Sequence, residues 1–445
     1  MNARLRQQLG DPALTQRLQQ QAAGANGSTL VSLTLDLGTG YDDWLALLPE
    51  NAPYWYLAQP AHGEFRLGLG HALHLSSDGN QRFSALGNAY AGLTRTWRHS
   101  GHALAFCGFA FAADGGNCDL PSALLAVPSI VLESSHGNCR AILTTTGARV
   151  DEAVHHWLQL LARPMRTSSP QLLPEANRTL TERAWVARVN AARRDIRQGH
   201  LDKLVLARSR QLQASAPIAT RHLLETLCEQ QAEACIYAFS QGASTFLGAT
   251  PERLLRLENG QIASDALAGT AWPGSIELAD SKNQHEQSLV VHAIVAALDP
   301  LCQTPPNAYP VETHQAGRVS HLRSRIVGTA LGTTTIFDLL RALHPTPAVG
   351  GYPTPPALDW LQAHGEQRSA WYSGGIGMLD GNGNGEFSVA LRSALIQDKR
   401  IELHAGAGIV ADSDPWQELA ETDAKLGTLL DAIYGTRKTR KKSGS

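Results

Sequence analysis

A glutamate stands in an unusual setting in TFLGATPERLLRL, Thr245 to Leu257: apolar residues flank Glu252 on both sides and Pro251 directly precedes it. Burial of a carboxylate is costly, so Glu252 either sits on a surface turn or is a carboxyl kept protonated by an apolar pocket and able to deliver its proton. A candidate base is Lys203, which opens the alternating run KLVLAR. Pointing inward, it is a desolvated amine able to take a proton; pointing outward, it is an edge-strand lysine that discourages aggregation. Arg392 interrupts the apolar alternation of SVALRSALI, where it either pairs with a carboxylate of the protein or binds one on a ligand.

Three more carboxylates come from helical stretches. In GAGIVADSDPWQELAETDAKL, Gly406 to Leu426, Pro415 suits the first turn of a helix that Ser413 or Asp414 could cap. Glu418, Glu421 and Lys425 then share one face, whose plain reading is a solvated surface with one Glu–Lys pair. Glu286 lies near the start of SKNQHEQSLVVHAIVAALDPL, ahead of the apolar stripe Leu289, Val290, Ala293 and Ile294. Alone it is a carboxylate favoured by the helix dipole. With Glu418 and Glu421 it completes an all-oxygen set, without His or Cys, of the kind that suits Mg²⁺. LAGTAWPG and AGAGIV lack the spacing and the Lys-Ser/Thr of a phosphate loop, and their glycines either admit a ligand carboxylate to backbone N–H groups or simply make turns. One lysine, one isolated glutamate, three metal-type glutamates, two glycine turns and one arginine together describe a site for a small dicarboxylate plus Mg²⁺.

The elements that must position these groups read as α+β. Residues 1–25 predict one polar, Gln-rich helix, and short alternating runs from Ser28 to about Val131 predict meandering antiparallel strands. DEAVHHWLQLLARP is helical up to its proline, and TSSPQLLPEANRT reads as a connector. A long helix over LTERAWVARVNAARRDIRQG closes at Gly199, KLVLARSRQLQ alternates as a strand, and helices and strands interleave thereafter. The division expected is a strand-rich portion, 1–170, completing the sheets, a catalytic region, 180–435, and a disordered basic tail, 436–445.

At 445 residues with 43% hydrophobic and 18% charged content, the chain is an ordinary globular one. A net charge of -2 supplies no field for nucleic acid or an anionic membrane, and RKTRKKSGS at the end reads as a solubilising tail or, alternatively, a nucleic-acid contact. Six scattered cysteines without a CxxC pair point to reduced thiols, and neither a signal peptide nor an apolar run long enough for a membrane span is visible. The expected location is the cytoplasm.

From about Leu180 to Leu430 the sequence resembles the chorismate-utilising enzymes. The resemblance rests on KLVLARS, FLGATPERLL, LAGTAWPG, DSKNQHEQSLVV, VSHLRSRI, LHPTPAVGGYP, WYSGGIGMLDGNGNGEFSVALRSALI and LHAGAGIVADSDPWQELAETDAKL, in that order. The first 170 residues match only loosely, through YWYLAQPAHGEFRLGLG and FCGFAFA. It implies two stacked antiparallel sheets surrounded by helices, with the site in a cleft between them. It further implies that Glu286 and Glu421 ligand Mg²⁺ with help from Glu418, and that the metal holds the ring carboxylate of chorismate. Gly269, Thr270, Tyr372, Arg392, Gly406 and Lys425 fall where relatives hold the substrate, and His321 falls close to it.

Within that family, a lysine at the position of Lys203 marks the members that add water to the ring rather than ammonia. Some ammonia-adding members place a nucleophilic lysine where this chain has Ala268, and the chain has no amidotransferase segment. Salicylate synthases, which go on to expel pyruvate, resemble one another in a threonine where this chain has Ala348; some carry an acid where it has Asn283. The implied activity is an isochorismate synthase, closest to the menaquinone type, in which Lys203 activates water for attack at ring carbon 2 and Glu252 protonates the hydroxyl leaving carbon 4. The implied enzyme is a monomer or homodimer with no obligatory amidotransferase partner. The alternatives are a salicylate synthase, an anthranilate or aminodeoxychorismate synthase component, and a non-catalytic chorismate-binding protein. An apolar setting for Glu252 is expected from Leu247, Leu254 and Leu255.

Overall fold

The computed structural model describes residues 2–40, 43–49, 52–115, 119–162, 171–173, 178–271, 281–316 and 319–434; the basic tail and the end of LAGTAWPG lie outside them. Among the described residues, two large sheets of 12 and 10 strands organise the fold. Pairing is antiparallel except where Arg98–Ser100 adds a parallel edge to Leu30–Thr39. Both sheets mix early and late strands. In the larger one, Tyr54–Gln59 pairs with Cys235–Gln241, joining strands of the first 146 residues to those after residue 203.

Aromatic and aliphatic side chains fill the space between the sheets. Trp55 packs on Phe239 at 4.3 Å, and Phe239 stacks on Trp371 at 4.8 Å. Gly108 is required there, because a Cβ would come within 2.0 Å of the Trp371 ring. The outer face of the 12-stranded sheet packs against leucines from Asn2–Leu9, Pro12–Ala22 and Thr220–Gln230. That of the smaller sheet packs on Arg82–Thr96, Ser281–Leu298 and Ile336–Leu343. The helix Arg178–Arg197 buries Trp185, Val189 and Ile196, and Gly199 past its end adopts φ 78° as a left-handed stop.

The single helix expected over residues 1–25 is two. Gly10 and Asp11 break it: Asp11 caps the second helix, its Oδ1 accepting from the Ala13 N–H at 2.9 Å, and Pro12 occupies the first turn. The described cysteines are free thiols.

What positions the site is a pair of sheet crossings. Ser244–Thr250 belongs to the larger sheet and Arg253–Glu258 to the smaller, so the chain changes sheets at Pro251–Glu252. Proline has no N–H to give to a ladder, which suits a point where pairing must stop. Gly385–Val389 and Ser393–Gln397 make the reverse crossing through Ala390–Arg392. The crossings lie side by side: Val389 N–H donates to the Glu252 carbonyl at 3.0 Å, and Ala249 N–H to the Arg392 carbonyl at 3.2 Å.

Candidate active site

A cleft of about 820 Å³, its open mouth included, lies at these crossings. Lys203, Glu252, Gly269, Glu286, His321, Ala348, Tyr372, Arg392, Gly406, Glu418, Glu421 and Lys425 all line it. Of the catalytic, substrate and metal positions that the resemblance implies only Thr270 is left: its side chain lies outside the described structure, while its backbone pairs with His321.

Lys203 opens the strand Lys203–Gln213 and points inward, 1% exposed, with its Nζ 2.8 Å from Glu286 Oε1. The edge-strand reading of this lysine is therefore wrong. Space for the pair comes from Gly408 opposite, where a Cβ would lie 2.5 Å from Glu286 Oε1 and 3.0 Å from Lys203 Cε. Gly406, two residues earlier on the same face, clears the Tyr372 hydroxyl, which a Cβ would approach to 2.9 Å.

Glu252 is buried, and burial pushes its carboxyl up to about 8, with nearby Lys203 pulling the other way. The surface-turn reading fails too. Leu247, Leu254 and Leu255 are not its lining: Leu247 packs outside the larger sheet, and a bulge between Arg253 and Leu255 lets both leucines sink into the core of the smaller. The apolar walls of the cleft are instead Pro251, Leu267, Leu391, Val205 and Val349.

Arg392 is held at φ 50°, a conformation uncommon outside glycine, by bonds on either side. The Tyr237 hydroxyl donates to the Leu391 carbonyl at 2.9 Å, and the Arg392 Nη2 donates to His321 Nε2 at 3.1 Å. His321 then has its proton on Nδ1, donated to the Gly269 carbonyl at 2.9 Å. Burial, reinforced by Arg392 and Lys425, holds the His321 imidazole well below its ordinary range and so neutral. Burial also lowers Arg392 to about 10 and raises Tyr372 to about 12, which leaves a cationic guanidinium and a neutral phenol at neutral pH.

The helix Pro415–Tyr434 is capped by Asp414, whose Oδ1 accepts from Trp416 and Gln417 N–H groups at 2.9 Å. Its acidic face is no solvated surface. Glu418 is 3% exposed, and Glu421 bonds Lys425 at 2.5 Å while Lys425 also donates to the Gly406 carbonyl at 2.9 Å. Among the described residues no three His, Cys, Asp or Glu form a ready-made metal cage. The donor set facing the cleft is nevertheless all carboxylate oxygen, from Glu286, Glu418 and Glu421, and that chemistry fits a hard divalent cation that keeps some of its waters.

The description "chorismate binding enzyme" belongs to a family model that matches residues 16–434. The chain is a member of that family. By sequence this chorismate-binding enzyme is 40% identical over 279 residues to the salicylate biosynthesis isochorismate synthase of Pseudomonas aeruginosa, covering 60% of the chain and 58% of the relative. It is 34% identical over 307 residues to the isochorismate synthase MenF of Bacillus subtilis, covering 66% and 65%. These matches span less than two thirds of each relative's length. The match to MenF of Escherichia coli is longer, 30% identity over 446 residues, 94% of this chain and 97% of the relative. The solved structure of that menaquinone-specific isochorismate synthase superposes with a TM-score of 0.78 at 25% identity, covering 95% of this chain and 99% of the other.

Some lining residues of this chorismate-binding enzyme carried no flag in the sequence. Gly408 was readable in principle, since two glycines two apart in one strand must share a face. Asn283, noted in the sequence only as the place where some salicylate synthases carry an acid, stands one turn before Glu286 and lines the cleft, with its Oδ1 3.0 Å from where a Cβ on Gly269 would be. Gly269 itself takes φ 66° at a bulge between Ala268 and Thr270, which leaves its carbonyl free to receive His321. Val205 and Val349 look like ordinary core residues in sequence, and only folding brings them together.

Proposed function

We propose that this chain is an isochorismate synthase, converting chorismate to isochorismate by adding water at ring carbon 2 and releasing the carbon 4 hydroxyl. The observation that carries this reading is the pairing, across one cleft, of a buried amine, Lys203, with a buried carboxyl, Glu252, that keeps its proton to about pH 8. Lys203 takes a proton from water as its oxygen bonds to carbon 2. The ring double bond shifts, the carbon 4–oxygen bond breaks, and Glu252 supplies the proton that makes the leaving group water. One water enters and one leaves, so the chemistry is balanced as an isomerisation.

The substrate's two carboxylates need cationic or hydrogen-bonding partners. Arg392, fixed by His321, is the fork suited to one of them, with the Tyr372 hydroxyl beside it. Glu286, Glu418 and Glu421 would hold Mg²⁺, which when bound supplies the positive charge that retains the other. Water as nucleophile leaves no need for an ammonia-delivering partner. The solved relative from Escherichia coli is menaquinone-specific, a siderophore pathway would use the same product, and the segment DSKNQHEQ favours the menaquinone side.

The second reading is a salicylate synthase, which would follow the same first step with loss of pyruvate. Ala348 in the cleft wall, where that branch resembles itself in threonine, favours release at isochorismate. Incubation with chorismate and Mg²⁺ at pH 7–8, with chromatography and a pyruvate assay, separates the two. Isochorismate without pyruvate, abolished by EDTA, is the expected result; salicylate with matching pyruvate would move the enzyme to its neighbour, and no turnover would sink both.

A further inference from the structure

The strand that carries Lys203 lies close to a sheet edge. Its inner side pairs with Arg400–Ile409 along its length, but on its outer side the short strand Gly351–Tyr352 covers only Lys203 and Leu204. The next outward-facing backbone groups belong to Val205 and Ala207, and buried edge groups left without partners are costly. A loop carbonyl and three side chains take over. Val205 N–H donates to the Gly350 carbonyl at 3.0 Å, and the Val205 carbonyl accepts from Arg368 Nη2 at 2.8 Å. Ala207 N–H donates to Glu366 Oε1 at 2.8 Å, and the Ala207 carbonyl accepts from Arg188 Nη1 at 3.3 Å.

Arg368 does more than fill an edge. Its Nη1 donates to the Val349 carbonyl at 2.7 Å, so one guanidinium clasps the lysine strand and the loop that carries Ala348 and Val349. The group is fully fixed. Nε donates to Glu366 at 3.3 Å, its Cζ lies 3.8 Å from the Phe111 ring centroid, and the side chain is 2% exposed. Glu366 is itself ion-paired to Arg188 on the helix Arg178–Arg197. Arg368 does not line the cleft, while Val205 and Val349, the two residues it joins, both do.

We infer that Arg368 is a positioning residue, whose clasp between the Val205 and Val349 carbonyls sets the distance from Lys203 to the Ala348–Val349 wall. The inference rests on the isochorismate synthase reading, because it assigns Lys203 as the group being placed. A lysine cannot reproduce the fork, since it presents a point charge where two carbonyls need separate, coplanar donors. A small displacement of a base is costly to turnover and much less so to ground-state binding.

The test uses full-length wild type, Arg368→Lys, Arg368→Ala and Glu366→Gln, with isochorismate formation and thermal unfolding measured on each. Arg368→Lys is expected to lose about 10- to 100-fold in kcat with the KM for chorismate within about twofold. Added guanidinium ion should restore part of the kcat of Arg368→Ala, and Glu366→Gln, which keeps its shape, should show a smaller kcat loss of the same kind. Full kcat in folded Arg368→Lys and Glu366→Gln would overturn the inference, as would a loss that only tracks the fraction unfolded. A wild type that forms no isochorismate removes the function reading and this inference together; an active wild type with unaffected variants removes the inference alone.

Discussion

Glu252 can donate a proton only while it has one, and its environment decides when that is. Burial raises its carboxyl to about 8, so it stays protonated through neutrality and activity should fall as pH rises through that value. The same shift sets a stability effect of defined sign. A carboxyl that titrates near its ordinary 4.5 when unfolded and near 8 when folded binds more protons in the folded state between those values, so folding loses stability as pH climbs through that window. Glu252→Gln removes the titration but keeps the shape. It should lower turnover by about 10²- to 10⁴-fold. It should also raise the thermal midpoint at pH 8, with little difference at pH 4, and the high-pH limb of the rate profile should vanish from its residual activity. Near-wild-type turnover in this variant would remove Glu252 from the role of acid.

At the scale of elements, the strand Arg400–Ile409 shows how a sheet makes room for chemistry. Its odd-numbered residues, Ile401 to Ile409, are buried in the packed cores behind it, and its even-numbered ones face the other way. His404 on that second face stacks under Tyr372 at 5.1 Å, and glycines follow at 406 and 408. Alanine is tolerated in a strand, so Gly408→Ala should fold; its methyl group would nonetheless drive into Glu286 and Lys203. The expected result is a loss of turnover of about 10-fold or more, by displacement of Lys203, the base proposed above, and weaker Mg²⁺ binding in titration calorimetry. Unchanged activity and metal affinity would mean that the close approach of Gly408 to the Lys203–Glu286 pair is incidental. The helix Pro415–Tyr434 makes the complementary point, because its amphipathic pattern has acids on a buried face and only the cleft gives them a purpose.

For the whole molecule, metal and stability should be linked. A cation that binds the folded site and not the unfolded chain stabilises by mass action, so Mg²⁺ should raise the thermal midpoint in a saturable way, and Glu418→Ala should blunt the rise. No helix of the described structure is long and apolar enough to cross a membrane. Much of this was legible in the chain. Alternation over KLVLARSRQLQ placed a strand that the structure begins at Lys203 and ends at Gln213, and the order of motifs named both the family and most of the residues at the cleft. Linear order determined residue types and local periodicity, because propensity, capping and side-chain spacing act over a few positions. It left open which way Lys203 points, whether Glu252 is buried and which leucines surround it. Those depend on two sheet crossings packed side by side, at 251–252 and 390–392, and on an edge clasp between residues 205, 349 and 368. Burial, and with it the proton affinity of Glu252, is a property of what the far ends of the chain bring to one place, and only the tertiary structure assembles that.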